Sequence, residues 1–161
     1  MKSPPGAENV DAADLRILAV LQDDAALSIA EVGERVGLSA NACWRRIKRL
    51  DDEGFIRGRV ALLDAERLGI GVTVFVSIRA PEHSDAWMGE FAAVVRRIPE
   101  IVEFYRMAGD VDYLLKLQVA DIAAYDAVYK RLIRGVRLSD VSSAFAMEVM
   151  KHTTAIPLPA G

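Results

Sequence analysis

Residues Leu38 to Arg59 read LSANACWRRIKRLDDEGFIRGR. Ser39 suits a helix N-cap, because its hydroxyl can accept from an orphan N–H of the first turn. At about 100° per residue, Cys43, Ile47 and Leu50 fall on one stripe. Asn41, Arg45, Lys48 and Asp52 fall roughly opposite, with Arg49 beside them. Gly54 follows, where a left-handed stop costs least. One face is therefore apolar enough to dock on other helices. The other carries cations and an amide, the groups that bind phosphates and base edges.

The surrounding composition narrows the function. The chain has 161 residues, 52% hydrophobic and 27% charged, which fits one domain or two small ones. Its formal net charge is −3, so the protein as a whole is no generic binder of polyanions. The sign is unevenly spread: Ser39 to Arg59 holds six cations against three anions. Such a local field steers a protein onto DNA more than total charge does. Cys43 is the single cysteine, which excludes an internal disulfide framework and any multi-cysteine zinc site. The opening MKSPPGAENV lacks the basic and apolar regions of a signal peptide. No apolar run approaches membrane-spanning length. A cytoplasmic protein without membrane partners is the simplest expectation.

Catalytic chemistry finds no support. His83 and His152 lack the ligand spacing of a zinc site. Asp51, Asp52 and Glu53 are consecutive and point in different directions, so solvation or pairing with arginines is expected rather than a metal. There is no phosphate-cradling glycine pattern, and no nucleophile, base and orienter can be assembled. Neither a metal nor a cofactor is expected.

Taken in order, residues 1–10 read as a flexible tail with two prolines and a glycine. Residues 11–63 read as a DNA-binding domain. Asp11 caps a helix whose Leu15, Leu18 and Leu21 are expected to face inward. Ser28 and Glu31 have the spacing of a capping box. Ile29, Val32 and Val36 supply the second helix's core face, and Gly33 permits close approach. Gly37 ends that helix, and Leu38-Ser39 leads into the third. Three short helices with a tight turn before the last match a helix-turn-helix. After Gly54, Ile56, Val60 and Leu62 with intervening basic residues suggest a short extended wing. Residues 64–70, beginning DAERLG, read as a helical turn and linker.

From residue 71 to 161 the period changes. Val72, Val74, Val76 and Ile78 alternate, as in a strand. Trp87, Phe91, Val94, Val95 and Ile98 recur at helical spacing. Ile101–Met107 and Tyr113–Val119 read as strands joined by the hairpin Gly109-Asp110-Val111-Asp112. Asp121 caps a second helix, with Ile122, Tyr125, Val128, Tyr129 and Leu132 inward. Val141–Thr154 reads as a long final strand. The β-α-β-β-α-β order is that of a ferredoxin-like domain, so the fold class is α+β. Phe75, Tyr105, Met107, Leu114 and Met150, with Ser77, Lys116 and Glu148, are expected on the sheet face away from the helices. A face this apolar marks a partner surface. Two such sheets are expected to pack across a two-fold axis, presenting two recognition helices about 34–36 Å apart to successive major grooves.

The phrases DAADLRILAVLQDDAALSIAEVGERVGLS, CWRRIKRLDDEGFIRGRVALLD, RMAGDVDYLL and SSAFAMEVMKHTTAIPL, in this order, resemble the Lrp/AsnC (leucine-responsive, "feast/famine") family of transcription regulators. The resemblance covers nearly everything from Asp11 to Leu158. CWRRIKRL and FYRMAGDVDYLL are most similar to a subgroup that senses cysteine. It implies an N-terminal winged helix-turn-helix and a C-terminal regulatory domain binding a small effector, often an amino acid. It also implies homodimers that assemble further, commonly to octamers, and bend or wrap double-stranded DNA. Gly33 departs from the family pattern, which often has Ala there.

Candidate residues follow. Ser39, Asn41, Arg45, Lys48 and Arg49 are expected to contact phosphates and bases, and Arg57 and Arg59 backbone phosphate. Trp44 is expected to pack between helix and wing, and Cys43 to be buried. Gly109 and Asp110 suit a tight turn. A free amino acid, however, needs a carboxylate for its ammonium group and N–H donors for its carboxylate, and a hairpin offers both. The resemblance places the effector at Gly109, Asp110 and Asp112, near Ser142 and Ser143. The expected function is a sequence-specific DNA-binding regulator modulated by an amino acid. A low-specificity architectural DNA-binding protein, or an enzyme subunit with a ferredoxin-like ligand domain, stays open as an alternative.

Overall fold

The computed structural model describes residues 9–159. The chain divides into two compact units: residues 1–62 with 151–161, and residues 63–150. The expected tail at residues 1–8 lies outside the described residues. Asn9 and Val10, its last two members, are held: the Asn9 carbonyl accepts from Arg49 at 2.8 Å and Val10 packs on the core.

The first unit is three helices, α1 (Ala12–Asp23), α2 (Ile29–Val36) and α3 (Ala40–Asp52). Each start is fixed by a cap. Asp11 accepts from the N–H groups of Ala13 and Asp14, while Asp14 accepts from the Asp11 N–H. Ser28 and Glu31 form the expected capping box. Two helices end alike. Gly37 (φ 72°) and Gly54 (φ 79°) are left-handed, and the next N–H returns to Gly33 and Leu50 respectively. This closing motif satisfies carbonyls that the helix leaves free. The first stop lets Ser39 cap α3 two residues later, which makes the tight turn. A Cβ on Gly33 would lie 2.8 Å from the Leu38 carbonyl, so the close approach expected there is to the start of α3.

Ile17, Val32, Val36, Cys43, Ile47 and Leu50 form the core of this unit. Along α1 the innermost residues are Ile17 and, unexpectedly, Asp14, both 0% exposed. Leu15, Leu18 and Leu21 are only half-buried. A buried carboxylate must be paired, and Asp14 is paired twice. Its Oδ1 accepts from Arg46 at 2.9 Å and its Oδ2 from Arg49 at 2.5 Å. Arg46 also donates to Asp11 at 2.7 Å. Two arginines on successive turns of α3 are thereby pinned to the first turn of α1.

The wing expected after Gly54 differs. Phe55 and Ile56 pack on the core, but residues 57–63 form no strand ladder among the described residues. A strand ladder needs a second strand, and no described residue pairs with these in one. The last residues, 151–159, are also irregular and belong to this first unit. There the Gln22 amide pairs with the Ile156 backbone, donating to its carbonyl at 3.2 Å and accepting from its N–H at 3.1 Å.

The second unit begins with a turn closed by Ile70 N–H on the Ala65 carbonyl at Gly69 (φ 72°). It continues as β1 (Val72–Arg79), α4 (Asp85–Arg96), β2 (Ile101–Arg106), β3 (Tyr113–Val119), α5 (Ile122–Gly135) and β4 (Asp140–Phe145). The sheet is antiparallel in the order β2-β3-β1-β4, the ferredoxin-like topology. Val74, Val76 and Ile78 are buried with Leu115, Leu117, Phe91, Val128 and Leu132. Phe91 stacks on Trp87 at 5.1 Å and meets Phe104 edge-on at 5.2 Å. The Trp87 indole donates to the Arg137 carbonyl at 2.8 Å, as a buried indole must. Two expectations are corrected. Ile122 opens α5 with its side chain exposed, because the buried stripe runs through Val128 and Leu132. The last strand stops at Phe145, so Met150 and Glu148 are not on the sheet, and the expected domain 71–161 gives up its final residues to the first unit.

Asp14→Ala removes an acceptor that two guanidinium groups share and leaves a small void beside Ile17. The free energy of unfolding in urea should fall by about 2–3 kcal/mol; an unchanged midpoint would show that water serves the arginines as well. Asp11 adds a pH dependence. The Asp14 N–H, then Arg46, hold its carboxyl down to about 2 from an ordinary 3.8. A lowered folded value means its contribution is complete above the unfolded value and is lost as pH falls toward the folded one. Asp11→Asn should therefore lose this component of acid destabilisation between pH 3.8 and about 2.

Candidate nucleic-acid interface and effector hairpin

Helix α3 has the two faces expected of it. Cys43, Ile47 and Leu50 are buried. Burial raises the Cys43 thiol pKa, which keeps it protonated and inert. Ser39 caps the helix, accepting from Ala42 N–H at 3.3 Å. Its hydroxyl is thus occupied in starting the helix, although it remains exposed at the N-terminal end.

The charged face sorts its residues by partner. Asn41, Arg45 and Arg57 are exposed and have no hydrogen-bond or ion-pair partner among the described residues. Lys48 is exposed and pairs with Asp52 at 2.9 Å. Arg59 pairs with Asp51 at 3.1 Å. Arg49 is the exception to the sequence expectation. Its guanidinium is held by Asp14 and the Asn9 carbonyl, with Glu53 at 3.6 Å. These bonds raise its pKa, Asp14 contributing most. These bonds occupy part of the guanidinium, and the Arg49 side chain remains 35% exposed. Trp44 is also corrected: it is 49% exposed and borders a groove with Leu27, Ile29, Lys48 and Arg59 instead of packing inside.

Asp14 is the residue that sequence reading passed over. Its signal was present as the fourth residue of an Asp-x-x-Asp cap, with two arginines at i and i+3 on α3. Helical periodicity assigns such a carboxylate to solvent, and only the tertiary contact shows otherwise.

In the second unit the hairpin joining β2 and β3 is closed by Met107 N–H on the Asp112 carbonyl at 2.8 Å. Gly109 has φ 136°, a conformation that favours glycine. Asp110 is exposed with no partner among the described residues. Asp112 is half committed. Its Oδ2 accepts from Ala80 N–H at 2.8 Å, and its own N–H donates to the Ile78 carbonyl at 3.0 Å. The remaining Oδ1 lies 3.8 Å from His83. Ser142 and Ser143 do not act together. Ser143 pairs with Val76 on the helix-covered face and its hydroxyl bonds to that of Tyr125. Ser142 pairs with Ser77 on the opposite face. Neighbouring strand residues point to opposite sides, so the two side chains lie on different faces of the sheet. No three metal-binding side chains converge among the described residues, and no helix among them is long and apolar enough to cross a membrane.

Comparison with known proteins agrees with both units. Residues 10–57 match the family described as winged helix-turn-helix DNA-binding, and residues 73–156 the Lrp/AsnC ligand binding domain. The glutamate uptake regulatory protein of Zymomonas mobilis is 55% identical over 93% of this chain and 92% of its own length. The DNA-binding transcriptional activator DecR of Escherichia coli is 49% identical over 92% and 99%. A crystal structure of an AsnC family regulator from Agrobacterium tumefaciens superposes with a TM-score of 0.89 at 55% identity, covering 92% of this chain and 97% of that one. A Neisseria meningitidis regulator solved with L-Met gives 0.87 at 36% identity, over 92% and 96%. These relatives are regulators rather than enzymes. An exposed basic helix on a three-helix unit, joined to a ferredoxin-like unit of this ligand-binding family, makes the chain a member of the Lrp/AsnC family of DNA-binding transcriptional regulators.

Proposed function

We propose that Asn41, Arg45 and Lys48 of α3 contact operator DNA, that Arg57 and Arg59 reach flanking phosphates, and that an amino acid binding at the β2–β3 hairpin modulates this. The observation that carries the DNA reading is the sorting of cations on α3. Among the described residues Arg45, beside Asn41, is left unpaired on the face opposite Cys43, Ile47 and Leu50. Bidentate donors and amides in that position read bases in a major groove.

For the effector, Asp110 offers a free carboxylate for an ammonium group, and the turn's exposed N–H groups suit a carboxylate. Asp112 shapes the hairpin and offers one oxygen. The L-Met complex of the Neisseria regulator supports an amino acid as the class of ligand. A cytoplasmic location fits such a ligand and a DNA partner. Assembly completes the reading. On the sheet face away from the helices lie Phe75, Leu114 and Tyr105, the last 48% exposed. Pairing of two copies through this face gives the dimer that a two-fold operator needs, and higher assembly follows the family pattern.

Three measurements test this. Arg45→Ala should weaken binding to a duplex selected by the wild-type protein by about tenfold (roughly 1–3 kcal/mol), with thermal unfolding unchanged; unchanged affinity would remove Arg45 from the interface. Calorimetry with free amino acids should find a ligand whose affinity falls in both Asp110→Ala and Asp112→Ala. Equal affinity in all three proteins would exclude these carboxylates. Phe75→Asp should shift the protein toward monomer in sedimentation; an unaltered profile would move the dimer contact elsewhere.

A further inference from the structure

The cations between Ser39 and Arg59 are held with unequal firmness. Arg46 and Arg49 are anchored on Asp14, which has no exposure, so a phosphate that drew either away would leave that carboxylate short of a partner. Among the described residues Lys48 and Asp52 are held only by each other, with side chains 56% and 64% exposed. An exposed pair one turn apart is weak and opens readily.

Position separates Asp52 from the other acids near α3. Asp11 and Asp14 belong to the start of α1. Asp51 is turned about 100° around the helix and pairs with Arg59, and Glu53, one residue beyond Asp52, faces Arg49. Asp52 alone among these acids shares the stripe of Asn41, Arg45 and Lys48. It therefore puts a negative charge on the face assigned to the DNA polyanion. It also lies in the last turn, whereas a recognition helix reaches base edges mainly from its N-terminal residues. Its neighbours on DNA are phosphates.

We infer that Asp52 is a specificity-determining residue that suppresses sequence-independent DNA binding by holding Lys48 and opposing the phosphate backbone. Sequence-independent complexes rest almost wholly on phosphate contacts. To make one, Lys48 must leave Asp52, and the freed carboxylate then faces the backbone unpaired. In the operator register, contacts from Asn41 and Arg45 fix the helix so that Lys48 donates one N–H to DNA while another stays on Asp52. The penalty falls mainly on the wrong sites. This inference rests on the assignment of α3 to the DNA face.

The test uses full-length Asp52→Asn and two duplexes of equal length, one selected by the wild-type protein from a random pool and one scrambled. Fluorescence anisotropy across a salt series reads both affinities. Affinity for the scrambled duplex should rise, and its dependence on salt should steepen by about one unit of log–log slope, so that its loss between about 50 and 200 mM salt grows roughly threefold. The selected duplex should change less, and discrimination should narrow. Combining Asp52→Asn with Lys48→Ala should cancel the steepening, a result that a merely structural role would not produce. Thermal unfolding should be unchanged in Asp52→Asn. An unaltered slope, an equal rise on both duplexes, or loss of the selected duplex (a carboxylate reading a base) would each overturn the inference. Arg45→Ala measured alongside separates the two levels. If it lowers the slope while Asp52→Asn does nothing, α3 still faces DNA and only the role of Asp52 fails. If neither alters it, both assignments fail.

Discussion

The first unit depends on one buried carboxylate. Asp14 accepts from Arg46, Arg49 and the Asp11 N–H, so both oxygens of this fully buried side chain are matched. This arrangement fixes the rotation of α3 about its own axis relative to α1. Apolar contacts among Ile17, Cys43, Ile47 and Leu50 favour burial but tolerate sliding. Directional bonds from two successive turns of α3 do not. The same bonds hold Arg46 and Arg49 toward α1, while Arg45 has no partner among the described residues.

A parallel division runs through the regulatory unit. Asp112 spends one oxygen and its N–H on holding the hairpin to the end of β1. Ser143 spends its hydroxyl on Tyr125 under α5. What stays free is Asp110 at the turn and the outer sheet face with Phe75, Leu114 and Tyr105. In both units a group that builds the framework lies beside one left for a ligand, and the two are of the same residue type. The chemistry of a side chain is therefore no guide to its role until its partners are known.

This explains what could be read in the sequence and what could not. Caps, glycine stops and alternation are local, governed by neighbours within four residues. Ser28 with Glu31, Gly37, Gly54 and the Val72–Ile78 alternation were accordingly legible. So were the ferredoxin-like order and the apolar stripe of α3. Partner choice among like charges is tertiary. Nothing within CWRRIKRL distinguishes Arg45, which is free, from Arg49, which is bound 35 residues away in the chain. The winged helix-turn-helix was legible too, but the alternation of Val60 and Leu62 gives no strand by itself, because a strand needs a partner. The resemblance set Ser142 and Ser143 near the effector, and only the strand pairing shows that the pleat turns their side chains to opposite faces.

The central claim is that α3 reads a specific site as one of a two-fold pair. Hydroxyl-radical footprinting on the duplex selected by the protein tests it most directly. The account predicts two protected patches on one face of the DNA, related by two-fold symmetry and separated by one helical turn of about 10–10.5 base pairs or a multiple of it. Uniform protection along the duplex, without phase or symmetry, would contradict it.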